Sequence, residues 1–496
     1  MTAYLKRLIS SLGAYQAASV VAKLLAVAML PVYTRFIDRA GYGAIELLAN
    51  GVILISILTR FGIIEAYLRF HFSDEDIPRR NALMRRATLF LLVATTAVSV
   101  VLAVFAGPLS QVVLAHRETA LFRVAVLGLW SFTNLELAYG VLRVDERLRE
   151  YALASVANVL ITVASAATLV VGFGLGARGY LLGNYATSTL VLVALWWRMR
   201  HRFARAAAGT ARLESMRTLM RFGLPTVPAE ASVYLLSIVD RFYIYHSRSP
   251  AVAGLYSIAV KLAGAVAFIV TAFQYAWPPL AYSVSDDREA GRLYGLVATY
   301  YLLVTGWVVT ALALEGRWIL RLLAAPSYFE AYRALPWVAL GWALYGLWVI
   351  FLTIAGRAKV TTRNFPAAIV GLAANVVLLL ALVPPLGIAG AGIALCGAYV
   401  VMLAFMHLLT RHEFHVDFEW LRLARLGFVL ALLGGGGDAL LPTHGAAGFA
   451  LRLLAVLAVG PGLWLVGFVH PAEVRQARAL AARVRRGRSL PAGSSA

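Results

Sequence analysis

The sequence predicts an all-helical, polytopic membrane protein with about fourteen transmembrane helices, arranged as two six-helix lobes in parallel repeat plus two C-terminal helices. Three observations predict this class. The 496-residue chain is 61% hydrophobic and only 14% charged, which is too apolar for a soluble domain. Its apolar stretches are each about twenty residues long, the length that a helix needs to cross a bilayer. Its two halves also repeat short motifs in the same order.

Each apolar stretch is predicted as one transmembrane span. The stretches are continuous, whereas barrel strands alternate, so helices are favoured. The first half contains spans 11–34, 43–67, 87–107, 120–142, 151–174 and 179–197. The second half contains spans 222–246, 253–277, 293–314, 334–356, 364–383 and 387–410, and the terminal pair is 424–442 and 449–469.

Loop charges predict the orientation. With these spans, 31 Lys and Arg residues fall on one side of the membrane and 11 on the other. The positive-inside rule therefore places both termini in the cytoplasm. Topology and anionic lipid headgroups also explain the net charge of +21, so nucleic acid is not expected as a partner.

The two halves are related by an offset of about 213 residues. The tetrapeptide AGYG at 40–43 corresponds to AGLY at 253–256, and ANV occurs at both 157–159 and 374–376. The offset covers six helices, an even number, which predicts parallel repeats about an axis along the membrane normal. We expect an N-terminal lobe at 1–200, a basic cytoplasmic linker at 201–221, a second lobe at 222–412, a terminal helix pair at 413–470 and a basic cytoplasmic tail at 471–496.

Ionisable residues within the predicted spans form the candidate site, because charges in lipid are costly and usually face a polar interior. Cations would attract phosphate or carboxylate groups, and acids are candidates for coupling to protons or cations. Structural ion pairing, or snorkelling to the interface near a helix end, is the alternative for each residue. The candidate cations are Lys23, Arg35, Arg60, Arg241 and Lys261, and the candidate acids are Glu46, Glu136, Glu230 and Asp240.

Enzyme chemistry is disfavoured. The chain has no HExxH, GxSxG or phosphate-binding GxxxxGK[ST] motif, and its longest predicted external loop is short. Cys396 is the only cysteine, which excludes disulfides within the chain and Cys-based metal sites. We expect no catalytic residue, no metal site and no cofactor.

Several motifs resemble one family of bacterial membrane proteins. LPVYTRF at 30–36, RFG at 60–62 and YLRF at 67–70 resemble the opening of the Wzx-type oligosaccharide flippases of polysaccharide biosynthesis. LYSIAVKL at 255–262, AWPP at 276–279 and GIAGAGIA at 387–394 resemble the repeat of these motifs in the second half. The resemblance implies the fold of the multidrug/oligosaccharidyl-lipid/polysaccharide exporter superfamily.

The resemblance also implies a function. The substrate would be a polyprenyl-pyrophosphate-linked oligosaccharide, moved from the cytoplasmic to the outer leaflet of the bacterial inner membrane for O-antigen, capsule or exopolysaccharide assembly. Partners would be membrane lipids and the polysaccharide polymerase or chain-length machinery. Lipid II flippases and multidrug exporters share the architecture, and a membrane scaffold is the alternative without transport. We expect cavity cations to equal or exceed acids, unlike a drug exporter, and the terminal helices to shelter the lipid tail.

Overall fold

The structure is a computed structural model that describes residues 24–72, 76–204 and 215–469. The first half of the chain folds into α1 (Leu30–Phe36), α2 (Arg39–Thr59), α3 (Ile63–His71), α4 (Ile77–Val104), α5 (Ala106–Leu114), α6 (Thr119–Val144), α7 (Leu148–Gly172) and α8 (Gly176–Ala204). The last turn of α7 is a π-helix.

The second half and the terminal pair are also helical. They comprise α9 (Met216–Gly223), α10 (Thr226–Ser247), α11 (Pro250–Ser283), α12 (Asp287–Leu323), α13 (Leu335–Arg357), α14 (Asn364–Leu386), α15 (Ile388–Thr410), α16 (Trp420–Leu440) and α17 (Gly445–Leu465). A 3₁₀-helix at Pro326–Arg333 joins α12 to α13.

The structure confirms an all-helical membrane fold but not the count of fourteen spans. Within the described part of the chain, twelve helices are long and apolar enough to cross a membrane. The predicted first span lies mostly before residue 24, outside the described residues, and α8, which covers the predicted sixth span, is not among the twelve. The lobe, linker and tail boundaries stay predictions, and much of the linker and all of the predicted tail lie outside the described residues.

The predicted span 43–67 is wrong as a continuous helix. It ends at Thr59 and resumes at Ile63 in a separate short helix, α3. Phe61 and Gly62 have φ values of 49° and 68°, and residues in this left-handed region cannot continue a right-handed helix. The break puts Arg60 at the end of α2 rather than within a span.

The apolar core shows how the two halves meet. We name the helix ends inner and outer after the orientation predicted from loop charges. Near the outer end, side chains of both halves, such as Tyr42 and Tyr256, belong to one core cluster. Near the inner end the two larger clusters are separate, one around Tyr67 and the other around Tyr294. A small cluster also joins α2 to α10 there and consists of Ile57, Val227 and Ala231. The two helical bundles therefore share one large core at the outer side and a smaller apolar contact at the inner side.

The terminal pair packs against α12 and not between the bundles. Leu426 and Val429 of α16 and Leu463 of α17 form a small cluster that Leu302 of α12 contacts.

Arg452 at the outer part of α17 is fully buried. Its guanidinium donates to the Asp438 carboxylate and to the backbone carbonyls of Pro442, Leu314, Asp438 and Leu441. These bonds satisfy a charge that would otherwise be unpaired in an apolar surrounding.

Two glycines allow the bundles to touch through their backbones at the outer side. A Cβ atom on Gly43 of α2 would lie 2.2 Å from the carbonyl oxygen of Pro250, and one on Gly254 of α11 would lie 1.9 Å from that of Arg39. No side chain fits at either position without moving the helices apart.

We expect Gly43→Ala to destabilise the protein by about 1–3 kcal/mol, because its methyl group collides with backbone. The measurement is thermal unfolding of the purified protein in detergent. Gly51→Ala on the same helix is the matched control, since a Cβ there has no neighbour within 4 Å. Equal stability of the two variants would contradict the close contact.

Candidate functional site

A cavity of about 670 Å³ lies between the two bundles, within the range of ligand pockets. Helices α2 and α6 of the first half and α10, α13 and α15 of the second half supply its walls. The lining side chains are those of Ile53, Ser56, Ile57, Arg60, Phe132, Glu136, Glu230, Val233, Tyr234, Ser237, Trp342, Tyr345 and Tyr399.

Arg60 forms the charged centre of the cavity. Its Nη1 donates to Glu136 of α6 at 2.9 Å, and its Nη2 donates to Glu230 of α10, across the boundary between the bundles. Glu65 of α3 lies 3.8 Å from the same Nη2. Arg60 is only 7% exposed, and its buried Nε has no hydrogen-bond partner among the described residues. One guanidinium therefore faces three carboxylates.

The backbone around Arg60 explains how it reaches this place. Arg60 caps α2, and the break at Phe61 and Gly62 turns the chain into α3. A Cβ atom on Gly62 would lie 2.1 Å from the carbonyl oxygen of Gly223, and one on Gly223 would lie 2.2 Å from that of Gly62. This glycine pair holds the end of α2 against the start of the second bundle, within reach of Glu230.

A second ion pair joins the bundles nearer the outer side. The Lys261 ammonium of α11 lies 2.8 Å from the Glu46 carboxylate of α2 and donates to the Tyr42 hydroxyl at 2.7 Å. It also lies 4.7 Å from the centre of the Tyr42 ring and 5.7 Å from that of Tyr180 on α8. The lysine of the second bundle thus inserts among groups of the first, and cation–π contacts add to the charge pairing.

Arg241 and Asp240 lie on α10 between these two clusters. The guanidinium of Arg241 donates to the backbone carbonyl of Ser237 at 2.7 Å, and its buried Nε has no partner among the described residues. The Asp240 carboxylate is 1% exposed and accepts hydrogen bonds from the Tyr256 hydroxyl and from the backbone N–H of Arg241. Asp240 is therefore already satisfied within the protein.

The predicted site residues separate into groups. Arg60, Glu136 and Glu230 line the cavity, whereas Glu46 and Lys261 form the outer pair. Arg35 is exposed at the end of α1 and does not line this cavity, and Lys23 lies outside the described residues.

The predicted balance of charge does not hold in the cavity. Its described charged lining residues are one arginine and two glutamates, so acids outnumber cations there. Residue type indicates which charged side chains lie close together inside the membrane. It does not indicate which of them line the same cavity.

Some site residues are not predicted by the sequence. Glu65 lies in α3, which the sequence predicts as the end of a continuous span, and Tyr42 and Tyr180 carry no charge. The aromatic wall formed by Trp342, Tyr345 and Tyr399 comes from α13 and α15, which lack ionisable candidates. Only a known pairing of helices distant in sequence would have indicated these residues.

Comparison of the sequence with protein-family profiles identifies one family. The profile of a family described as "Polysaccharide biosynthesis protein" matches residues 9–282 of the 496-residue chain. The chain belongs to the polysaccharide biosynthesis protein family. This confirms the family that the motifs resemble. No curated protein matches the chain by sequence.

Solved structures similar to this family member are membrane transporters. The lipid II flippase MurJ in its inward closed conformation has a TM-score of 0.72 and 11% identity, covering 90% of this chain and 96% of MurJ. An inward-facing multidrug resistance MATE transporter of the MOP superfamily has a TM-score of 0.62 and 13% identity, covering 80% and 94%. The Vibrio cholerae MATE transporter VcmN in the bent form has a TM-score of 0.56 and 12% identity, covering 83% and 97%. The chain therefore has the fold of the MurJ and MATE transporters.

We expect Lys261→Met to destabilise the protein by about 2 kcal/mol, because it leaves Glu46 unpaired in a mostly buried place. The double variant Glu46→Gln/Lys261→Met should recover most of this loss, since it removes both charges. Thermal unfolding of these two variants and of Glu46→Gln alone in detergent measures the coupling. Additive losses would show that the pair does not join the bundles energetically.

Proposed function

We propose that the protein translocates a polyprenyl-pyrophosphate-linked oligosaccharide from the cytoplasmic to the outer leaflet of the bacterial inner membrane by alternating access. The product would serve the assembly of O-antigen, capsule or exopolysaccharide, and both termini would be cytoplasmic. The observation that carries the proposal is the position of Arg60, a buried cation in a cavity between two bundles of a chain that belongs to the polysaccharide biosynthesis family. Family membership and fold also favour a transporter over an enzyme.

The packing of the bundles supports entry from the inner side. Their apolar contact is small there, whereas they share one large core at the outer side. A headgroup that enters between the inner ends reaches Arg60 and has to separate it from Glu230, because this pair bridges the bundles there. Release of the headgroup at the outer side requires that Glu46 separate from Lys261, because this ion pair bridges the bundles there.

The charges around Arg60 support coupling to an ion gradient. Arg60, Glu65, Glu136 and Glu230 together carry a formal charge of minus two. An anionic pyrophosphate can bind Arg60 only if it displaces Glu136 and Glu230 from the guanidinium. The charge of the pyrophosphate then adds to that of the two glutamates, so the local negative charge increases. Protons or other cations that bind with the substrate would offset this charge. Glu136 and Glu230 are therefore the proposed coupling residues, with Glu46 and Asp240 as further candidates.

The aromatic wall supports a carbohydrate headgroup. The ring centres of Trp342 and Tyr345 are 5.8 Å apart, and those of Tyr345 and Tyr399 are 5.9 Å apart. Aromatic faces pack against the C–H groups of sugar rings, while tyrosine hydroxyls provide hydrogen bonds. The wall lies in the same cavity as Arg60, so one ligand can contact both.

The excess of acids favours a second candidate function, export of a cationic compound. Such a compound would bind Glu136 and Glu230 directly, and one of the similar structures is that of a multidrug resistance transporter. Translocation of lipid II, the lipid named for MurJ, is the other flippase alternative. The sugar part of the substrate distinguishes these two flippase functions.

We expect Arg60→Gln to reduce translocation of a labelled undecaprenyl-pyrophosphate oligosaccharide in proteoliposomes by about a hundredfold, since a charge-assisted contact to phosphate contributes about 2–3 kcal/mol. Arg60→Lys should retain part of the activity. Arg198→Ala is the matched control, because Arg198 is 65% exposed and its pair with Glu150 lies outside the cavity.

Three outcomes of this assay separate the functions. Transport by the wild type that falls only in Arg60→Gln supports the flippase. Transport of lipid II but not of the oligosaccharide lipid would assign the substrate to peptidoglycan assembly. Uptake of cationic dyes without any movement of lipid would contradict the flippase and support drug export.

We expect the variant Glu136→Gln/Glu230→Gln to bind undecaprenyl pyrophosphate more tightly than the wild type at constant pH, because it removes two negative charges that face Arg60. The measurement is the binding constant of each purified protein in detergent. Equal binding constants would exclude these two charges as the ones that oppose an anionic ligand.

A further inference from the structure

An apolar crevice of about 250 Å³ lies beside the central cavity on the outer half of the protein. It is bounded by α2, α4, α5, α6 and α10. Its walls are almost entirely hydrocarbon, and they include Leu47, Leu54, Leu102, Phe122, Leu129 and Ile238. Asn50 and Arg241 supply the polar side chains of its described lining.

The crevice borders the lipid-facing surface. Phe242 on its edge is 48% exposed, and Val101 and Phe105, beside its wall residue Leu102, are each 55% exposed. In a chain that crosses the membrane, large apolar side chains exposed in this way face hydrocarbon. A lipid chain can therefore reach the crevice sideways from the bilayer.

Arg241 gives the crevice a charged end. Its Nε is buried and has no hydrogen-bond partner among the described residues, although its Nη1 donates to Ser237. Arg241 precedes the outer end of α10 by six residues, or about 9 Å of helix. An anionic group at Arg241 would thus lie toward the outer leaflet, with an attached chain extending inward along Leu54 and Leu129.

The packed boundary between α2 and α10 separates the crevice from the central cavity. The Tyr234 hydroxyl, in the wall of the cavity, donates to the Asn50 side chain, in the wall of the crevice, at 3.1 Å. Ser237 lines the cavity, and its carbonyl accepts from Arg241 of the crevice. A lipid with its headgroup in the cavity can hold its chain in the crevice once α2 and α10 part along this boundary.

We propose that this crevice binds the isoprenoid chain of the transported lipid, with Arg241 holding its phosphate, as the lipid reaches the outer leaflet. The inference rests on the proposed function and deepens it. It assigns the lipid chain to the boundary between α2 and α10, whereas the sequence favours the terminal helices α16 and α17 as its shelter. The occupant follows from the combination of an almost entirely hydrocarbon wall, a membrane-facing opening and a cation at one end.

Gly51 provides a direct test. It lines the crevice, and a Cβ atom there has no neighbour within 4 Å, so Gly51→Leu fills the crevice without a clash at the backbone. Gly427→Leu is the matched control on α16, where an added Cβ also meets open space. Thermal unfolding and size-exclusion chromatography of the full-length variants establish that both are folded.

The experiment uses a polyprenyl diphosphate with a diazirine on the isoprene units next to the diphosphate. After irradiation, mass spectrometry locates the labelled peptides of the purified protein. We expect labelling of the α2 and α10 residues that line the crevice. Gly51→Leu should lower it about tenfold, the factor for losing contact with a few methylene groups. Arg241→Gln should lower it for the diphosphate but not for the matching prenyl alcohol.

Three results would overturn the inference: labelling spread evenly over all lipid-facing helices, labelling that Gly427→Leu reduces and Gly51→Leu does not, or equal labelling by the diphosphate in wild type and Arg241→Gln. Translocation in proteoliposomes is measured in parallel. A wild type that translocates the lipid without labelling of the crevice would refute this inference alone. A wild type that translocates no lipid would refute the proposed function, and the inference with it.

Discussion

The structure depends on charges in the membrane that are paired between bundles. Glu46 of the first bundle pairs with Lys261 of the second near the outer side, and Arg60 of the first pairs with Glu230 of the second in the cavity. In the outer pair the first bundle supplies the acidic residue, whereas in the cavity pair the first bundle supplies the basic residue. Because an unpaired charge in a low-dielectric surrounding is costly, each pair resists separation of the bundles at its own level. The bundles can part at one level while the other pair still holds them.

Glycine contacts make these pairs possible. Hydrogen-bonded ion pairs need atoms about 3 Å apart, and the side chains of facing helices reach that distance only if their backbones are close. Gly43 and Gly254 give that closeness near Lys261, and Gly62 and Gly223 give it near Arg60. Small residues at helix contacts are typical of membrane bundles, where packing rather than the hydrophobic effect drives association. Here the same contacts also position the charges.

Much of this architecture could be predicted because it depends on local signals. The length of apolar stretches predicted the spans, and residue type predicted which charges would be buried. The partners of those charges could not be predicted, because Arg60 and Glu230 are 170 residues apart and one sequence does not specify which helices face one another. The break after Arg60 was missed because the apolar stretch continues past Gly62, and only the left-handed backbone there ends the helix. Arg35 is an arginine like Arg60, but its side chain is exposed. Residue type alone does not distinguish an exposed arginine from a buried one.

The charge around Arg60 constrains every function considered for the cavity. Three carboxylates around one guanidinium leave the site with excess negative charge, which favours a cationic ligand and requires compensating positive charge for an anionic one. A cationic drug would supply that charge itself. An anionic lipid headgroup would need protons or cations to bind with it, and its binding would then be linked thermodynamically to theirs. The source of the compensating charge is therefore what physically separates a flippase from a drug exporter built on this fold.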